Sequence, residues 1–178
     1  MSAMPEHIIL WRHAEAEELF DGNDMLQRDM QRALTQKGQR QATDMAKWLK
    51  PQLPKVSILQ CSPALRAFQT AEAIQHVGKS CKININQALR PDASLNMVLA
   101  NIAQFNSCKC LVLVGHQPWL GQLAAHLLGI SLTEHAKDLL IKKGAIWWLR
   151  LDKTLDKVRE EAVSARYIMH TVQTPSLL

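Results

Sequence analysis

The 178-residue sequence predicts an α/β fold, a three-layer sandwich with a mostly parallel central sheet flanked by helices and an antiparallel edge strand. Three observations predict it. Strand-like and helix-like hydrophobic patterns alternate along the chain. The segment "CLVLVG" is short and continuously apolar, as suits a strand covered on both faces. Capping residues, prolines and glycines punctuate the helical patterns at their ends.

The elements follow in order. "HIILW" reads as a first strand, and residues 14 to 31 as a polar, acid-rich loop with a turn of helix. Thr35 can cap a helix running to about Lys50, with Ala42, Met45, Ala46 and Leu49 on one face and Pro51 as its stop. "VSILQC" is a second strand. Ser62 and Pro63 then read as a cap followed by proline at the first helical position, opening a helix that reaches Val77 and ends at Gly78. "KINI" is a third strand. Residues 94 to 105 are helical, with Leu95, Val98, Leu99 and Ile102 in register. "CLVLVG" is the fourth strand, and Pro118 opens a helix that ends near Gly129. "AIWWLRL" and "ARYIMHTV" are two late strands that can extend the sheet antiparallel.

The length predicts one domain over 1–178, with 171–178 as a tail. A chain of this size can bury a sizeable core without staples. Its four cysteines, irregularly spaced, read as free thiols in a reducing, cytoplasmic compartment. No apolar run reaches membrane-spanning length, and the N-terminus lacks a basic leader, so no membrane partner is expected. The net charge of +5 would permit a polyanionic partner. Its lysines and arginines are scattered, however. The one basic–aromatic approach, Lys142 and Lys143 near Trp147 and Trp148, reads better as the start of a buried strand, so no nucleic acid is expected either.

In a parallel sheet, ligands bind outside the carboxyl ends of the strands. The first strand ends in Arg12 and His13. The second ends in "CSPALR", which places Arg66 about one turn inside a helix. The fourth ends in "VGHQP", with His116 directly before a helix start. Two histidines and two arginines thus meet on one rim beside two helix N-termini. Arginine forks match phosphate oxygens, and helix N-termini add partial positive charge. Any one of these residues alone would read as a surface or packing residue. Together at three strand ends they read as a dianion site.

The segments "WRHAEAE", "RALTQKGQRQA", "CSPALRAFQTAEAI" and "VLVGHQPWLG", in that order, resemble the histidine phosphatase superfamily, and within it the small SixA-type phosphohistidine phosphatases. The resemblance spans roughly residues 7 to 151. It implies that His13 is a nucleophile that becomes phosphorylated and that Arg12, Arg66 and Arg32 bind phosphoryl oxygens. It further implies that His116 donates a hydrogen bond to the phosphoryl group. The implied activity is hydrolysis of phosphohistidine on a partner protein; a monomer with no cofactor is expected, and no metal, because the sequence shows no ligand clusters. The chain departs from the family in carrying Ala14 where glycine most often follows the Arg-His pair.

Relatives that act on phosphate esters carry a general acid in a longer segment before the fourth strand. Here only about twenty residues separate Leu89 from Leu111, and no lid is visible. Asp92 and Glu15 are the candidate acids, with Glu17 and Asp21 nearby, and each also reads as a solvated loop carboxylate. Four rivals compete with this reading. Cys61 and Arg66 flank a strand-to-helix loop as in cysteine-dependent phosphatases, but the gap is one residue short and Pro63 removes an N–H from the cradle. A metal hydrolase would need ligand clusters, and the histidines show none. A small-molecule phosphomonoesterase or a non-catalytic phosphate-binding module would use the same pocket.

Overall fold

The computed structural model describes residues 4–18, 25–78, 81–105, 108–133, 138–152 and 167–178. Six strands form one sheet in the order β3-β2-β4-β1-β5-β6. They are β1 (His7–Arg12), β2 (Ser57–Cys61), β3 (Ile83–Ile85), β4 (Cys110–Gly115), β5 (Ile146–Leu151) and β6 (Tyr167–Gln173). The first four run parallel; β5 pairs antiparallel with β1 and β6 antiparallel with β5. The antiparallel edge is therefore two strands wide.

Alternation along β1 shows why the sheet is covered twice. Ile9 and Trp11 point into one core with Met45, Leu49, Ala67 and Ile74. Ile8 and Leu10 point into the other with Trp119, Leu120 and Leu123. The first core lies under α2 (Gln36–Leu49) and α3 (Leu65–His76), the second under α4 (Leu95–Ile102) and α5 (Trp119–Leu128). All six residues of β4 are buried, as its apolar run predicts. No helix among the described residues is long and apolar enough to cross a membrane.

Strand register sets the position of the site. Arg12 pairs with Gly115 and Cys61 with Val114, so β1, β2 and β4 end level with one another. The next residue of each strand, His13, Ser62 and His116, then emerges at the same rim. The His13 N–H still donates to Gly115 O (3.0 Å), and the Ser62 N–H to Val114 O (3.0 Å), so pairing persists to the point of divergence.

Most sequence-predicted boundaries hold. Thr35 caps α2, its hydroxyl accepting from the Gly38 N–H at 3.0 Å, and Ala42, Met45, Ala46 and Leu49 are buried on one face. α5 ends at Gly129 in the left-handed conformation, φ +67°. Two expectations need correction. α3 begins at Leu65, not at Pro63; Ser62 and Pro63 form a turn in which the Ser62 hydroxyl accepts from the Ala64 N–H. Arg66 therefore sits in the first turn, closer to the strand ends than the sequence suggests. Residues 171–178 are not a tail. Thr171, Val172 and Gln173 complete β6, and Pro175–Leu177 form a 3-10 turn whose Pro175 packs on Gly144. The edge of β5 supplies backbone partners that sequence patterning over so short a segment does not reveal. The expected turn of helix in the first loop is α1 (Met25–Met30).

Close approach explains Gly38. A Cβ there would lie 1.9 Å from the carbonyl oxygen of Glu15, which also accepts from the Thr35 N–H. The first turn of α2 thus presses directly on the backbone two residues after His13. Gly38→Ala should destabilise the protein by about 1–3 kcal/mol, the usual cost of forcing atoms into a packed contact. Equilibrium urea unfolding of the two proteins measures it, and equal midpoints would show that the segment after His13 gives way freely.

Candidate functional site

His13 is 6% exposed, and its Nδ1 lies 2.7 Å from the carbonyl oxygen of Ala14. A carbonyl only accepts, so Nδ1 carries the ring hydrogen and Nε2 carries the lone pair. Burial lowers the pKa to about 3; the Ala14 hydrogen bond opposes this, while Arg66 and Arg12 add to it. The ring is therefore neutral at pH 7. Ala14 itself is fully buried within the α2–α3 core, and its N–H donates to Thr70 Oγ1 at 3.0 Å. Alanine thus fits where the family most often has glycine.

His116 faces His13 with ring centroids 5.1 Å apart. Its Nε2 lies 2.8 Å from the Ser62 hydroxyl, and its Nδ1 is buried with no partner among the described residues. Burial first, then His13 and the arginines, pushes its pKa down to about 2.

The arginines repeat this pattern. Arg12 Nη1 donates to Ile141 O at 2.7 Å, and Arg12 Nε is buried without a partner. Arg66 donates from Nη1 to the Asp29 carbonyl and from Nη2 to Asp29 Oδ2 (2.9 Å), and its Nε is likewise buried and unpaired. Burial lowers the pKa of both, yet a guanidinium stays charged at any working pH. Arg32 joins through the same carboxylate, with Nη1 3.0 Å from Asp29 Oδ1 and Nε 2.6 Å from Glu17 O. Burial of Asp29 raises its pKa, but hydrogen bonds from Arg32 and Arg66 outweigh that and hold it below the usual carboxylate range. Three buried nitrogens near three strand ends, Arg12 Nε, Arg66 Nε and His116 Nδ1, have no hydrogen-bond partner among the described residues; the same holds for Asn101 Nδ2 and Gln117 Oε1.

The predicted acids do not join this group. Glu15 accepts from Thr35 Oγ1 (3.0 Å) and Lys37 Nζ (2.8 Å), and those bonds hold its pKa low. Asp92 pairs with Arg90 Nε at 3.2 Å. Glu17 contributes its backbone carbonyl, and Asp21 lies outside the described residues. Cys61 is fully buried and burial pushes its thiol up, so it is no thiolate nucleophile. Among the described residues no three His, Cys, Asp or Glu side chains are grouped to hold a metal ion.

Sequence reasoning missed three supports. Asp29 is one; its i,i+3 spacing to Arg32 is legible, whereas its pairing with Arg66 spans 37 residues. Thr70 is another; it accepts from Ala14 and donates to Arg66 O, and its position four residues after Arg66 on one helix was a usable signal. The third is the turn at 141–145. There the Gly144 N–H donates to His13 O and Trp11 Nε1 donates to Gly144 O, while Ile141 O holds Arg12.

A family model described as histidine phosphatase superfamily (branch 1) matches residues 8–91, a span containing Arg12, His13, Arg32 and Arg66. An uncharacterized protein of Picosynechococcus sp. is 32% identical over 145 residues, 80% of this chain and 84% of that protein. The chain belongs to the histidine phosphatase superfamily. Its fold matches that of the protein histidine phosphatase SixA complexed with tungstate, with TM-score 0.71 and 22% identity over 96% of this chain and 98% of that one. It matches a candidate SixA phosphohistidine phosphatase from Agrobacterium tumefaciens with TM-score 0.76 and 21% identity, covering 97% of this chain and 100% of the other. A phosphoserine phosphatase from Entamoeba histolytica, in complex with phosphoserine, also shares the superfamily fold. Its TM-score is 0.65 at 16% identity, covering 97% of this chain and 98% of that one.

The two depressed histidines give stability a pH dependence. Unfolded histidine binds a proton below its ordinary pKa of 6.5, while folded His13 and His116 stay neutral down to about 3 and about 2. The contribution of these two histidines is therefore constant above 6.5 and falls as pH drops below it, by up to about 1.4 kcal/mol per pH unit for each. Urea unfolding of wild type and His116→Gln at about pH 7 and about pH 5 measures the difference. The variant should show the shallower slope, and equal slopes would place protonated His116 within the fold.

Proposed function

We propose that the protein is a phosphohistidine phosphatase that dephosphorylates a partner protein through a covalent phosphohistidine at His13. The observation that supports it best is that Arg12, Arg66 and His116, the neighbours of His13, each carry a buried nitrogen with no partner among the described residues. A phosphoryl group in flight spreads charge over three equatorial oxygens, and fixed donors aimed at those oxygens stabilise the transition state. His13 Nε2 attacks phosphorus as the P–N bond to the substrate's imidazole breaks, the leaving ring keeping the electron pair and taking a proton from solvent. Water then attacks the phosphorus, phosphate departs and Nε2 regains its lone pair. Arg12 and Arg66 hold the oxygens, and His116 Nδ1–H donates to one. Arg32 adds charge at the rim through Asp29. The arginines supply the positive charge, so the reaction needs neither metal nor cofactor.

The leaving group follows from the acids. Glu15 and Asp92 are tied to Lys37 and Arg90, and His116 is neutral, so none of them is poised to protonate a departing alkoxide. An imidazole departs without strong acid assistance; a sugar alkoxide does not. The kinship in fold with a SixA protein histidine phosphatase supports the same choice. The four cysteines are free thiols, which suits a cytoplasmic enzyme, and the site is complete within one chain, which suits a monomer.

The test compares kcat/KM for a phosphohistidine protein, an aryl phosphate and a sugar phosphate on one preparation, with His13→Ala as the control. The phosphohistidine protein should exceed the sugar phosphate by about a hundred- to ten-thousand-fold, the usual worth of general acid catalysis, with the aryl ester between them. His13→Ala should abolish all three. Equal rates on the sugar phosphate would favour the phosphomonoesterase reading.

A further inference from the structure

We infer that Ser62 is a positioning residue: it fixes the tautomer of His116 so that an N–H, rather than a bare lone pair, faces the phosphoryl group. This rests on the phosphatase reading for the identity of the anion. The tautomer itself is a property of the resting protein.

One hydroxyl decides the tautomer. Ser62 is 0% exposed, the first residue beyond β2, and its own N–H is held by Val114 O. Among the described residues its Oγ has two hydrogen-bonding neighbours. The Ala64 N–H donates to it at 3.2 Å, and His116 Nε2 lies 2.8 Å away. A hydroxyl has one hydrogen to give and two lone pairs to receive with. The Ala64 N–H occupies one lone pair and leaves the hydrogen to be placed.

Two arrangements compete. If His116 carried its hydrogen on Nε2, Ser62 Oγ would accept twice and its own buried hydrogen would have no acceptor. His116 Nδ1, also buried and unpaired, would then aim a lone pair at phosphoryl oxygens. Both results are unfavourable, since an unsatisfied buried polar group loses its hydration for nothing and like charges repel. In the other arrangement the Ser62 O–H donates to Nε2, so Nδ1 must carry the hydrogen. Every polar atom is then satisfied once an oxyanion meets Nδ1. Protonation of both nitrogens offers no escape, because burial keeps this ring neutral. The chain of donors runs from the Ala64 N–H through Ser62 and His116 to the substrate. His13 is set the same way in reverse, with Ala14 O taking the Nδ1 hydrogen and leaving Nε2 free to attack. One tautomer makes a nucleophile and the other a donor.

The experiment reads the tautomer directly, by nitrogen NMR of the full-length protein labelled at histidine, near neutral pH. The His116 signals are assigned by their loss in His116→Gln. Wild type should show the hydrogen on Nδ1. Ser62→Ala should lose that preference, and Ser62→Thr, which restores the hydroxyl, should regain it. In turnover of a phosphohistidine protein, folded Ser62→Ala should lose about 10- to 100-fold in kcat with KM little changed, less than outright loss of an oxyanion donor or a wrong tautomer in a triad. A hydrogen on Nε2 in wild type overturns the inference whatever the variants do. So does Ser62→Ala that keeps either the Nδ1–H form or the wild-type kcat. Failure of the phosphatase reading would show instead as absence of turnover by wild type, with the resting spectrum unaffected.

Discussion

His13, His116, Arg12 and Arg66 are each held at one polar end and left free at the other. Ala14 O holds His13 Nδ1, Ser62 holds His116 Nε2, Ile141 O holds Arg12 Nη1, and Asp29 holds both terminal nitrogens of Arg66. The opposite atoms, Arg12 Nε, Arg66 Nε and His116 Nδ1, are buried with no partner among the described residues. Buried unpaired donors are costly, and folded proteins contain few of them. Keeping three such atoms requires a rigid frame, because any of these side chains could otherwise turn and satisfy itself locally.

The rest of the structure supplies that frame. The level ends of β1, β2 and β4 bring His13, Ser62 and His116 to one rim without a loop having to reach. α2 presses its first turn against Glu15, and Thr70 on α3 ties Ala14 to Arg66 O. The turn before β5 closes the third side, with Gly144 at φ +77° giving its N–H to His13 O and its carbonyl to Trp11. Burial also has a chemical use. It keeps both imidazoles neutral while the guanidinium groups beside them stay charged, as the proposed reaction requires of one ring that attacks and one that donates.

Much of this was legible in the sequence because it depends on local pattern. The apolar run of β4, the alternation in β1, the Thr35 cap and the Gly129 stop each follow from propensity and periodicity over a few residues. The four central site residues were legible because each directly or closely follows a strand that pattern alone identifies. What was not legible is the support. Asp29 lies on α1, in a segment that reads as an acid-rich loop; its i,i+3 spacing to Arg32 is legible, but nothing local pairs it with Arg66. Its partner Arg66 is brought to it only by the folded sheet. Ser62 looked like a helix cap and is one side of a histidine pair. The last residues read as a tail because eight residues with sparse apolar content do not announce the strand edge they join.

The central claim is that the unpaired nitrogens form one receptor for a phosphoryl group. A crystal structure with tungstate tests it most directly, since the oxyanion can mimic the transferring group and reveal every contact at once. The account predicts tungsten opposite His13 Nε2, with oxygens on Arg12 Nε, Arg66 Nε and His116 Nδ1 at hydrogen-bond distance and Asp29 still holding Arg66. Tungstate bound elsewhere, or bound at this rim only after those side chains have turned to new partners, would contradict it.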